Sequence, residues 1–167
     1  MDEELTKSLW VRIKGKAETG DIIVGVCCRP PVQENQAYEA LYRQIGAASL
    51  SQALVLMGDF NHPDICWRDD TTGHKQSRRC LECVDDSFLL QVIGQPTRRG
   101  AMLDLVLTIK ERLVGNVKRK GSLGFSDHET VEFKILRAAR RVHSMLTTLD
   151  FRRADFGLFR DVLGRVP

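Results

Sequence analysis

Leu9, Val11 and Ile13 alternate with Trp10, Arg12 and Lys14, a period-two pattern that predicts a half-exposed strand. Gly15 to Gly20 turns the chain into Ile22-Ile23-Val24-Gly25-Val26, a more apolar run that pairs with the first as a hairpin and closes at Pro30-Pro31. From Asn35 to Ser49 the spacing becomes helical: Leu41, Ile45 and Leu50 recur on one face, with Tyr38 and Tyr42 at i, i+4. The apolar run at 53–57 follows, so a β–helix–β unit is expected. Residues 59–75 have no period and read as a loop carrying His62, Trp67 and His74. A helix near 76–87 and a strand near 89–93 come next, then a loop from Pro96 to Gly100. Strands near 103–108, 113–118 and 131–136 are expected to finish the sheet, and Leu149 to Leu163 to form a terminal helix.

Chemistry concentrates where these runs end. The strand at 54–57 stops abruptly in Gly58-Asp59-Phe60-Asn61, and Asp59 and Asn61, two apart at a strand end, project to the same side. A carboxylate beside an amide suits a hard divalent cation and its phosphate, although Gly, Asp and Asn are also the ordinary residues of a turn. Asp127-His128 precedes the last strand, and an imidazole beside a carboxylate can donate to a phosphoryl oxygen or move a proton near neutral pH. Asp104 lies inside the apolar run Leu103-Asp104-Leu105-Val106-Leu107. A buried carboxylate needs a partner, and His128 is the natural one.

Taken in order, Gly-Asp-Phe-Asn (58–61), Leu-Asp-Leu-Val-Leu-Thr (103–108) and Ser-Asp-His (126–128) resemble the endonuclease/exonuclease/phosphatase superfamily. The stretches 24–31, 58–67 and 95–100 look like the chicken-repeat group of LINE-type non-LTR retrotransposons, and 149–159 looks like the segment joining that endonuclease to its reverse transcriptase. The resemblance implies a DNase I-like two-sheet α/β sandwich of mostly antiparallel strands with flanking helices, hydrolysing a phosphodiester bond in DNA with Mg2+. Carried over by position, Asp59 orients or activates the attacking water. Asn61 helps hold it and the scissile phosphate, His128 stabilises the phosphorane with Asp104 orienting its ring, and Asp127 contributes to the metal site.

Two departures accompany the match. The family's metal-binding Glu lies well upstream of the segment resembling 8–31, and nothing around Glu3 or Glu4 resembles its motif; where the family has Tyr before the Arg-Pro-Pro run, Cys28 stands here. A thiol cannot reproduce a phenol's hydrogen bond to phosphate. The expectation is a fold lacking its N-terminal part, residues 1–136 forming a truncated endonuclease domain and 137–167 a basic linker toward an absent reverse transcriptase. Nuclease activity is then weak or lost, leaving at the extreme a remnant that only binds DNA or protein. With mainly one sheet supplied, an apolar face and strand edges stay open for a protein partner or self-association.

Charge and cysteines add to this picture. Residues 1–136 carry 18 basic and 19 acidic side chains, whereas 137–167 carry 7 Arg against 3 Asp, an excess that suits either a solvated helix face or a nucleic-acid contact. Arg98-Arg99 in its loop is balanced between phosphate and solvent; Trp67 is expected to pack. A rival site, His62 with Cys66, Cys80 and Cys83, supplies four zinc ligands without the usual compact pairs, and these cysteines read instead as small apolar residues. Cys27 and Cys28 point to opposite strand faces and do not bridge. Five cysteines, no apolar stretch near 20 residues and no signal-peptide pattern fit an intracellular chain, nuclear if it acts on DNA.

Overall fold

A computed structural model describes residues 7–15, 19–29 and 35–136. The terminal helix and basic tail expected beyond 136 lie outside the described residues. A five-stranded sheet runs in the order β1-β2-β3-β5-β4, built from β1 (Ser8–Ile13), β2 (Ile22–Cys28), β3 (Leu54–Asp59), β4 (Leu90–Gln91) and β5 (Asp104–Thr108). The hairpin pairs Leu9 with Val26 and Ile13 with Ile22. Strands β2 and β3 are parallel, joined across α1 (Asn35–Ser49), while β5 runs antiparallel to β3 and β4. Helix α2 (Lys75–Asp86) completes the helical layer.

Alternation along the central strands sorts the core into two halves. Leu54, Leu56, Leu105 and Leu107 face the helices, meeting Tyr38, Leu41 and Ile45 of α1 and Cys80, Leu81 and Val84 of α2. Val55 and Val106 face the other way, with Ile22, Ile93 and Leu113. Against that second face packs a separate antiparallel ribbon, β6 (Val114–Ser122) with β7 (Glu129–Ile135), whose Val114, Val117, Val131, Phe133 and Ile135 join the cluster.

The expectation that the strands near 113–118 and 131–136 extend the one sheet is therefore corrected. They form their own two-stranded layer, because their apolar residues are needed on the face that α1 and α2 leave bare. The strand expected at 89–93 also contracts to Leu90–Gln91. The Gln91 side-chain oxygen accepts from the Val92 and Val106 amides, replacing part of the ladder. Among the described residues no helix is long and apolar enough to cross a membrane.

Candidate active site

The ends of β3, β5 and β7 meet at one edge of the sandwich. Asp59 and Asp104 are directly opposed in the antiparallel β3–β5 pair, and His128 sits one residue before β7. Ligand atoms of Asp59, Asp104 and His128 all lie within 4.8 Å of one another. His128 Nδ1 is 3.1 Å from Asp104 Oδ2, so the carboxylate inside the apolar run has the histidine as its partner.

Local backbone chemistry brings Asp59 here. Gly58 has φ +143°, and a Cβ at this position would lie 1.7 Å from the Cys27 carbonyl oxygen, so the β2–β3 approach admits only glycine. Asp59 then turns the chain by accepting the Asn61 amide on Oδ1 at 2.9 Å. Asn61 sits at φ +50°, the left-handed conformation that asparagine tolerates best among residues with a side chain. Buried Arg29 fixes the turn, donating to the carbonyls of Phe60 (3.1 Å) and Asn61 (2.6 Å). The Asn61 side-chain amide reaches back to the Arg29 carbonyl at 3.5 Å.

Electrostatics mark the acidic pair. Burial, and next the facing Asp104 carboxylate, raise the Asp59 pKa against the lowering by the Asn61 amide, His128 and Arg98. Two carboxylates held this close favour a bound proton or a cation between them.

Asp127 lies beside the group rather than in it. Its Oδ2 accepts from Arg98 at 2.8 Å and lies 3.5 Å from Arg99, and these guanidiniums, the Arg98 hydrogen bond foremost, hold its pKa below the ordinary carboxylate range. Its Oδ1 is 3.8 Å from His128 Nε2. The Arg98-Arg99 pair is thus turned onto a protein carboxylate.

Thr97 is a residue that the sequence reading passed over. It is fully buried, and its hydroxyl accepts the amides of Leu103 (3.2 Å) and Asp104 (3.0 Å), while its carbonyl accepts the Glu129 amide at 3.0 Å. One threonine therefore ties the start of β5 to the start of β7 and sets the spacing of Asp104 and His128. A threonine in a Pro-Thr-Arg-Arg loop carries no sequence signal of that role.

The zinc alternative does not assemble. Among the described residues, Asp59, Asp104 and His128 are the only metal-capable group of three or more. Cys80 is buried in the helical core, where burial pushes its thiol up to about 12, and His62 hydrogen-bonds to Ser77. All five cysteines are free, with Cys27 buried and Cys28 exposed on opposite faces of β2. Trp67 packs against the helical core.

This layered α/β fold of two sheets carries an Asp-Asp-His cluster at its strand ends. Residues 22–132, more than half of the chain, match the endonuclease-reverse transcriptase family, and the chain belongs to it. Among solved structures it is similar to the endonuclease domain of TRAS1, a telomere-specific non-LTR retrotransposon, with TM-score 0.60 and 17% identity over 77% of this chain. That alignment spans 63% of the TRAS1 domain. No curated protein matches the sequence significantly.

Proposed function

We propose that this retrotransposon endonuclease-like domain is a Mg2+-dependent phosphodiester hydrolase that nicks DNA, with weak activity as this chain alone. The observation that carries the reading is the convergence of Asp59, Asp104 and His128 within 4.8 Å from three separate strand ends. The donor set fits the ion: two opposed carboxylates offer the hard oxygens that Mg2+ prefers, and the raised Asp59 pKa marks a place where a cation relieves repulsion. Asp59 and Asp104 would hold it. When bound, it neutralises charge on the phosphate and makes water a better nucleophile.

The chain's own groups supply the rest. Asp59 orients the water and takes its proton, with Asn61 placed beside it by the amide-to-carboxylate turn. Asp104 holds the His128 ring through Nδ1, leaving Nε2 to stabilise the phosphoryl oxygens. Asp127, paired with Arg98 and Arg99, stands beside this group with its Oδ1 3.8 Å from His128 Nε2. Activity is expected to be weak because Cys28 stands where the family has a phosphate-binding phenol, and a thiol cannot reproduce that hydrogen bond.

Nicking of supercoiled plasmid by the purified chain in Mg2+ or EDTA, beside Asp59→Ala and His128→Ala, tests this. The expected result is slow, metal-dependent nicking reduced at least ~100-fold in either variant. Folded protein that nicks no faster than its variants overturns the catalytic reading.

A further inference from the structure

A second cluster of polar groups lies beside the candidate active site and, Asn61 apart, takes no part in the proposed hydrolysis. A cavity of about 440 Å3 opens between the turn after β3 and the start of α2, lined by Arg29, Asn61, His62, Asp64, Lys75 and Gln76 among others. Four observations give it the character of an anion site. Arg29 is 5% exposed, and its donors reach the Phe60 and Asn61 carbonyls, the Tyr38 hydroxyl and, at 3.5 Å, the Gln76 side-chain oxygen. Every one of these acceptors is neutral, and among the described residues no carboxylate forms an ion pair with the buried guanidinium and its Nε has no hydrogen-bond partner. A buried charge in that condition is costly unless an opposite charge arrives. His62, 3% exposed, likewise leaves Nε2 without a partner.

The start of α2 is the third observation. Its N-cap residue His74 makes no side-chain capping bond, so the first amides of a twelve-residue helix present their positive end to the same cavity. Lys75 adds an exposed ammonium at the rim. The one carboxylate in the wall, Asp64, is engaged by hydrogen bonds from Ser77 (2.6 Å) and Thr72. Ser77 in turn contacts His62 Nδ1 at 2.9 Å, linking the ring to the Asp64 carboxylate.

We infer that this cavity is a phosphate subsite, taking a phosphoryl group of the nucleic-acid backbone next to the one at Asp59 and Asn61. The assignment to a nucleic acid rests on the proposed function, since Asn61 belongs to both the cavity and the turn that bonds the Asp59 carboxylate. The phosphoryl chemistry rests only on the cavity. Such a site would hold the strand in register at the cleavage centre without touching the reacting atoms.

The test separates this from catalysis by working in EDTA with the Asp59→Asn chain. Two probes are used, inorganic phosphate read by thermal shift against chloride at equal ionic strength, and a short DNA duplex read by fluorescence anisotropy. Lys75→Glu is exposed and leaves the core untouched; Lys110→Glu makes the same charge change outside the cavity. The expected result is stabilisation by phosphate that Lys75→Glu abolishes, together with duplex binding weakened at least fivefold more by Lys75→Glu than by Lys110→Glu. A phosphate response lost in Lys75→Glu with duplex binding that follows total charge alone overturns the nucleic-acid assignment and makes the site one for a free phosphate. No phosphate response, or one equal in both variants, overturns the subsite, whatever the nicking assay gives.

Discussion

Asp59 illustrates a residue whose environment opposes its own charge. Because burial and Asp104 raise its folded pKa above the unfolded value, ionisation at neutral pH works against the fold, and the native state binds its proton more tightly than the unfolded chain does. Asp59→Asn is therefore expected to raise the melting temperature at pH 7 while reducing plasmid nicking at least ~100-fold, a combination that a merely structural aspartate would not give. His62 works in the opposite sense. Burial foremost, and then Arg29, lower its pKa to about 4, so between about 4 and the ordinary histidine value of 6.5 the unfolded chain binds the extra proton. Stability present above pH 6.5 is lost as pH falls through that window, by up to about 3 kcal/mol. Urea midpoints measured from pH 7 to 5 should fall less steeply in His62→Gln than in the parent chain. Of these residues, Asp59, Asn61, Asp104 and His128 were legible in the sequence because each ends or interrupts an apolar run. The state of His62 was not, since it depends on Ser77, Asp64 and Arg29, which only folding brings together.

At the scale of elements, Thr97 is the joint on which the site geometry depends. Replacing it by valine keeps the volume but removes the acceptor of two buried amides, which costs about 2–3 kcal/mol when neither finds water. The expected consequence is a matching loss in urea denaturation and a drop in nicking greater than unfolding alone accounts for, with Thr97→Ser restoring most of both. Gly58→Ala tests the neighbouring joint. The added methyl would collide with the Cys27 carbonyl, so the β2–β3 pairing must shift and stability should fall by several kcal/mol. The sequence located both helices to within a residue or two, since their 3.6 periodicity is set by one face packing on one sheet. It misjudged β6 and β7, whose alternation reports that one side is buried but carries no information about which sheet the strand joins. That choice follows from the whole molecule, where the face opposite the helices needs a cover.

The cover is incomplete, and this governs how the whole molecule should behave. The β6–β7 ribbon is two strands wide and packs over the Val55 and Val106 side of a five-stranded sheet, and among the described residues nothing covers the β1–β2 end of that face. Leu9, Val11, Ile13 and Val26 lie together there, paired across β1 and β2, and remain 64%, 48%, 41% and 43% exposed. Among the described residues β1 is also an edge strand, so an apolar strip borders a row of backbone groups that no described strand pairs. Contiguous exposure of this kind marks an association surface, and the strip is expected to drive self-association of the chain when no other partner is supplied. Sedimentation velocity over a range of concentrations should show a shift from monomer toward larger species, accompanied by binding of a hydrophobe-sensitive dye. Leu9→Lys with Val11→Lys places charges on both the strip and the edge, at positions already solvent-exposed, so the fold should survive. The double variant should sediment as a monomer with little dye binding and an unchanged urea midpoint. Association that persists in the variant would move the sticky surface elsewhere, with Phe125 and Leu123 at the tip of the β6–β7 ribbon, both largely exposed, the next residues to change.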